Sequence, residues 1–361
     1  MKRRNFLSGC TAATAATASG AAAAARPPAA RAHEPGTSPG GPDFPAGTAR
    51  LGARVGRREV AELRRAARDA RRADSRSGGG SAPARSAARL LVSTAAPLLG
   101  GSCTPAVERE LYSATAELAR LAGWAAFDTG RHDLARGYFR QALHLAGAGG
   151  DTQLTAYVLA CMSLQATLTG RPGEAVDLAA AAARTGAHSP RLRGFAHLVQ
   201  ARAHARDRAP RAAGACLAGA EVLLESAEAR GSQDDPEWLD FFTRPRLAAD
   251  AAEIHRDLGN PRGCFRWHAE ADAMAPGDFT RSVGMRLSVV ATAHLQAGDL
   301  DRALALGRRS ADMLQDVASH RAHGYLGAFT ASLGPWRREP AVRAFTANLH
   351  PDAAGGGRRT S

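Results

Sequence analysis

The sequence predicts an all-α protein: recurring helical hairpins behind a disordered N-terminal arm. Three observations predict this class. Ala, Leu and Arg, strong helix formers, dominate the 361 residues, while isoleucine occurs once, at Ile254, and tyrosine four times. A turn opened by Gly, once degenerate, recurs at 130, 170, 208, 259 and 298, at intervals of 40, 38, 51 and 39 residues. No apolar run reaches the roughly 18 residues that a membrane-spanning helix needs.

Residues 1–56 read as a basic arm and linker rich in Ala, Pro and Gly. The chain opens Lys2-Arg3-Arg4-Asn5-Phe6-Leu7, and Arg-Arg-x-Phe-Leu resembles a twin-arginine export motif. Weakly hydrophobic Thr11–Ala25 follows, and Ala30-Arg31-Ala32 is a candidate cleavage site. Leu7-Ser8-Gly9-Cys10 reads like a lipobox. The stretch between the arginines and Leu7 is, however, far shorter than the apolar region of roughly 7–15 residues that such a signal needs. From Pro27 to Gly56 the composition has no helical period.

Residues 57–100 read as leading helices. Val60, Leu63, Ala67 and Ala70 form one apolar stripe on a helix near Arg58–Ala73, which Gly78-Gly79-Gly80 ends. A second helical stretch covers roughly Ala84–Leu99, shortened by Pro97.

Residues 101–350 carry the hairpins, and 351–361 form a disordered tail. The turns read Gly130-Arg131-His132-Asp133-Leu134-Ala135, Gly170-Arg171-Pro172-Gly173-Glu174-Ala175, Gly259-Asn260-Pro261-Arg262-Gly263-Cys264 and Gly298-Asp299-Leu300-Asp301-Arg302-Ala303, with Arg208-Ala209-Pro210-Arg211-Ala212-Ala213 as a degenerate copy. Gly suits a left-handed helix end, and Pro172, Pro210 and Pro261 fall on the first turn of the following helix. The small residue five positions after each Gly lets the paired helices approach closely. The pattern is that of a tetratricopeptide-like repeat solenoid. Gly123, Ala135, Phe139 and Ala142 of the first copy fall in register, while Ala119 and Ala126 stand where Trp and Tyr are common. The sequence therefore predicts at least four repeats, a fifth degenerate one, and a capping region from His320 to Leu349. The longest interval holds a predicted exposed loop from Gly231 to Asp235.

A family resemblance rests on three segments. Glu117-Leu118-Ala119-Arg120-Leu121-Ala122-Gly123-Trp124-Ala125-Ala126-Phe127-Asp128-Thr129-Gly130-Arg131-His132, Tyr157-Val158-Leu159-Ala160-Cys161-Met162-Ser163 and Asp234-Asp235-Pro236-Glu237-Trp238-Leu239 resemble the tetratricopeptide-repeat domain of actinobacterial XRE-type helix-turn-helix transcriptional regulators. The resemblance covers about residues 50–350. In that family a DNA-binding domain comes first, then an Arg-Arg-x-Phe-Leu element and a Gly-rich linker. This sequence starts at that element. The resemblance thus implies a cytoplasmic, transcription-associated protein without its own DNA-binding domain. The alternative is a helical-repeat protein exported through the twin-arginine pathway.

Charge and cysteine usage narrow the function. The net charge of +13 divides into +11 over residues 1–100 and +2 over 101–361. The arm can hold nucleic acid weakly and without specificity, and the repeats cannot. Lys2 is the only lysine, so no later residue can serve as a P-loop or Schiff-base lysine. Cys10, Cys103, Cys161, Cys216 and Cys264 form no C-x-x-C pair, and their odd number argues against a disulfide framework. Cys161, Cys216 and Cys264 fall in helical patterns as small hydrophobes. The pairs His197/His204, His320/His323 and Cys264/His268 have ligand-like spacing but no clear further partners. Gly147–Gly150 follows a helix and reads as a loop. Trp238, Phe241 and Phe242 read as core packing before a ligand cage, and Asp234 and Asp235 as solvated.

No catalytic, cofactor-binding or metal-binding residue is expected, and a metal-dependent or hydrolytic enzyme has no supporting motif. The expected function is binding of a protein or peptide partner. In such repeats the first helix of each unit lines a groove. The register places Glu117, Arg120, Trp124, Asp128, Tyr157, Arg202, Arg206, Arg246, Glu253, Arg256 and Gln296 there. The arginines suit a partner that is acidic or ends in a free carboxylate. Glu117, Asp128, Glu253 and Asp257 are positioned to neutralise some of them.

Overall fold

The same turn joins the two helices of each hairpin. Gly130, Gly170, Gly259 and Gly298 take φ of 79°, 77°, 69° and 80°, and Arg208 takes the same left-handed region at 54° in the degenerate copy. In all five turns the next residue donates its N–H five residues back: Arg131 to Ala126, Arg171 to Ala166, Ala209 to His204, Asn260 to His255 and Asp299 to His294, each at 2.8–2.9 Å. This is the bond that closes a helix end onto a left-handed residue. Pro172, Pro210 and Pro261 then begin the following helix, where a missing N–H costs nothing. The small residues Ala135, Ala175, Ala213, Cys264 and Ala303 are fully buried between paired helices. Gly123 fits the same logic, since a Cβ there would lie 2.8 Å from the Phe139 ring.

The computed structural model describes residues 54–231 and 235–349. The Arg-Arg-x-Phe-Leu element, Cys10, the linker as far as residue 53, Asp234 and the tail lie outside them. The described residues are helical and hold no β-strand, only an isolated bridge between Arg54 and Ser102. Helix α1 spans Arg57–Ser77. Next come α2 (Ser86–Leu90) and α3 (Ala96–Leu98), joined by a π turn at Leu91–Ala95 that absorbs Pro97 without breaking the helical path. The hairpins are α4 (Pro105–Asp128) with α5 (His132–Gly149), α6 (Thr152–Leu168) with α7 (Pro172–Thr185), α8 (Pro190–Arg206) with α9 (Pro210–Arg230), α10 (Arg244–Asp257) with α11 (Pro261–Ala271), and α12 (Thr280–Gln296) with α13 (Leu300–Leu314). Helices α14 (His320–Ser332) and α15 (Pro340–Leu349) follow.

Two expectations change. Gly147–Gly149 belong to α5, and only Gly150 leaves the helix, at φ 70°. Gly149 packs so close to α4 that a Cβ would sit 3.0 Å from the Arg109 carbonyl oxygen, so a small residue is needed inside the helix. Asp235 is not solvated: it accepts from Nε of Arg191 at 2.6 Å, and both side chains are largely buried.

The arrangement that positions the site comes from α1 and α14. Helices α4, α6, α8, α10 and α12 pack side by side, and their partners lie outside them. Helix α1 rests on both α4 and α12, burying Val60, Leu63, Ala67 and Ala70. Helix α14 also touches α12 and α4. The inner face of the hairpin series is therefore covered at two places by the chain's own helices.

Candidate functional site

Most of the residues assigned to a groove face inward and hold partners within the chain. Arg202 on α8 donates to Asp250 at 2.9 Å, Glu253 at 2.7 Å and the Tyr325 hydroxyl at 3.0 Å. Arg206 reaches Glu253 at 3.2 Å and Asp257 at 2.8 Å. Arg246 pairs with Asp250 at 2.9 Å, and Arg256 with Glu253 at 3.5 Å and Asp257 at 2.8 Å. The Tyr325 hydroxyl of α14 donates to Glu253 at 2.7 Å. Burial alone would raise the Glu253 carboxyl. The surrounding Arg202, Arg256 and Arg206 overcome that and hold it well below the usual range. Gln296 is exposed and caps the Arg256 carbonyl at 2.9 Å.

A second network joins the first and last hairpins. Asp128 is fully buried and accepts from the Gly79 N–H at 2.8 Å, Arg281 at 3.1 Å and Arg321 at 3.0 Å. Arg281 also grips Asp74 of α1 through two bonds of 2.7 Å. Glu117 pairs with Arg71 of α1. Trp124 lies edge-on to Phe127 at 5.5 Å and under the Arg321 guanidinium at 5.1 Å.

Between these networks lies a cleft of about 770 Å³. Helix α1 forms one wall, and α4, α6 and the start of α10 form the others. The segments around Trp238 and Phe279 close its sides. Tyr157 and Trp238 stack at 4.6 Å with their rings 10° apart, and Phe195 and Phe241 meet edge-on at 5.3 Å beside them. Among the described residues seven arginines and four carboxylates line the cleft, so its wall carries an excess of positive charge. Arg68, Arg76 and Arg281 are matched by Glu237, Asp278 and Asp74. Arg120 is not so matched. It is 3 % exposed and lies over the Tyr157 ring at 5.1 Å. Its Nε and Nη2 have no hydrogen-bond partner among the described residues. Burial and the nearby Arg120 charge push the Arg71 guanidinium down to about 10.

The structure thus gathers Arg120, Trp124, Tyr157 and Arg246 in the cleft and places Arg202, Arg206, Glu253 and Arg256 in a network that Asp250 joins to Arg246. Glu117 and Asp128 serve to hold α1 and the last hairpin, and Gln296 stands apart. Sequence reasoning did not single out Arg71, Asp74, Arg281, Arg321 or Tyr325. The polar stripe of α1, with Arg68, Arg71 and Ser75 at helical spacing, was the available signal for a second charged wall. Among the described residues no three His, Cys, Asp or Glu side chains gather as a metal-binding group, and no helix is long and apolar enough to cross a membrane.

The chain matches no family model and no curated protein sequence.

Proposed function

We propose that this chain is a non-enzymatic, tetratricopeptide-like helical-repeat protein that binds a peptide partner in the cleft between α1, α4 and α6, in a cytoplasmic, transcription-associated regulatory role. The observation that carries the binding reading is the cleft itself. Its volume is within the range of about 300–1,000 Å³ usual for ligand sites. It combines aromatic walls with inward-facing arginines, the residue types that anchor interfaces. The five equivalent turns support the repeat reading. The regulatory role rests on the resemblance of the Glu117–His132 stretch to regulator repeat domains.

The test is site-directed photocrosslinking in host extract. A photoreactive side chain is placed at Phe279 in the cleft or at Arg211 on the outer face of α9. The reading expects a peptide adduct from the Phe279 position that the Arg211 position does not give. Equal adducts from both positions, or none from the cleft, would refute it.

A further inference from the structure

The groove arginines are not equivalent once their partners are known. Of Arg120, Arg202, Arg206, Arg246 and Arg256, four are within 4 Å of a carboxylate of the chain, and among the described residues Arg120 has none. Apolar side chains also lie around it. Its guanidinium lies over Tyr157, which stacks on Trp238, and Leu121, Leu164 and Phe195 line the same cleft. A desolvated guanidinium with unused N–H groups is unfavourable until an acceptor reaches it. The acceptor that fits a guanidinium best is a carboxylate, which can take two parallel hydrogen bonds. The flat Tyr157–Trp238 pair beside it suits an aromatic or branched apolar side chain.

Resting on the cleft as the binding site, we infer that Arg120 receives the free C-terminal carboxylate of the bound peptide, with the last side chain of that peptide packed against Tyr157 and Trp238. Two further features support the assignment. Seven arginines face four carboxylates on the cleft wall among the described residues, so an anion is drawn inward. Arg71 and Arg120 repel each other across the cleft wall, and a bound anion relieves that repulsion. An internal acidic residue would bring its backbone and both flanking residues into the space beside Tyr157. A chain end brings one carboxylate and one side chain.

The experiment uses immobilised full-length protein and two pools of acetylated pentapeptides. Both pools are randomised at the first four positions and end in Phe, Tyr, Trp or Leu. One pool ends in the free acid and the other in the amide, and bound peptides are read by mass spectrometry. The expected result is at least about tenfold enrichment of free acids over amides, the scale of one lost charge-assisted bond. Arg120→Gln should abolish the preference, with circular dichroism as the folding control. Should that variant not fold, Trp238→Leu at the cleft wall provides the second test, and it should weaken retention while preserving the preference for the acid. Equal enrichment of acids and amides on the unmodified protein would overturn the carboxylate assignment and leave the peptide-binding reading standing. Retention of neither pool would overturn both. If N-acetylphenylalanine displaces the retained peptides at equal concentration, the site belongs to small aromatic acids and the peptide assignment falls.

Discussion

Asp128 on α4 and Arg281 on α12 meet at 3.1 Å across 153 residues of sequence. The contact joins the first hairpin to the last, and Arg281 carries it on to Asp74 of α1. Asp128 is fully buried, and removing it takes from Arg321 its carboxylate partner and leaves Arg281 with Asp74 alone. Asp128→Ala is expected to destabilise the fold by about 3–5 kcal/mol. Urea denaturation followed by circular dichroism measures it. A midpoint equal to that of the unmodified protein would show that the network contributes nothing.

The same carboxylates set an acid limit. Burial tends to raise both Asp128 and Glu253, but their arginine partners hold each at about 2 in the folded chain, below the ordinary values of 3.8 and 4.5. A carboxyl depressed on folding adds stability that is complete above its unfolded value and is lost as pH falls through the folded value. Stability should therefore decline from about pH 4.5 to about pH 2. Asp257, raised by burial, acts in the opposite sense and softens the slope. Urea midpoints at pH 7, 4.5 and 2.5 test this. Asp128→Asn should flatten the profile, and a midpoint that rises on acidification would contradict it.

The hairpins were legible because their signals are local. A left-handed Gly, a Pro at the first position of the next helix and a small residue five positions on are local requirements that a few residues of sequence display. Arg208 was recognisable as the degenerate turn by the Ala209-Pro210 that follows it. The fate of the inner arginines was not legible. Arg202 meets Glu253 across 51 residues, and Asp74 meets Arg281 across 207. No periodicity reports such pairs. The register could place Arg120 and Arg202 on the same inner side, but it could not show that α14 brings Tyr325 to one while the other lies over Tyr157. Trp238 stood out by type, and only the fold shows that it stacks on Tyr157.

Two glycines should respond oppositely to alanine. A Cβ at Gly79 would lie 2.8 Å from the Ala125 Cα and from the Asp128 Cβ, and the Gly79 N–H holds Asp128. Gly79→Ala is expected to cost about 1–3 kcal/mol. Gly214 lies within α9 with open space around it, so Gly214→Ala should add up to about 1 kcal/mol through helix propensity. Thermal melts compare them, and shifts of the same sign would contradict the packing at Gly79.

Thiol reactivity should divide by burial. Burial pushes the Cys161 and Cys264 thiols up to about 11 and about 12, and both are almost wholly enclosed. Cys103 and Cys216 are half-buried. Thiolates are the reacting species. Iodoacetamide at pH 8 should therefore modify Cys103 and Cys216 first, and Cys161 and Cys264 only on adding denaturant. Peptide mapping by mass spectrometry reads the order, and early labelling of Cys161 would show that the cleft floor opens.

Arg202 and Arg206, one turn apart on α8, should behave differently when removed. Both point to Glu253, yet the Arg202 side chain is 6 % exposed and that of Arg206 is 38 % exposed. Arg202 fills the gap between Asp250, Glu253 and Tyr325, so Arg202→Ala strips two buried carboxylates of their main counterion. A loss of about 3–5 kcal/mol is expected. Lysine should not restore it, because a single ammonium cannot serve Asp250, Glu253 and the Tyr325 hydroxyl in the planar fork that arginine provides. Arg206 is half in water, and Glu253 keeps Arg202 and Arg256 when it is gone. Arg206→Ala should cost about 0–1 kcal/mol. The measurement is a double-mutant cycle in urea, with Glu253→Gln as the common second change. Strong coupling of Glu253 to Arg202 and weak coupling to Arg206 is the expected result. If Arg202→Ala unfolds at the same urea concentration as the unmodified chain, the buried network does not hold α8, α10 and α14 together, and Arg202 is free to meet a partner.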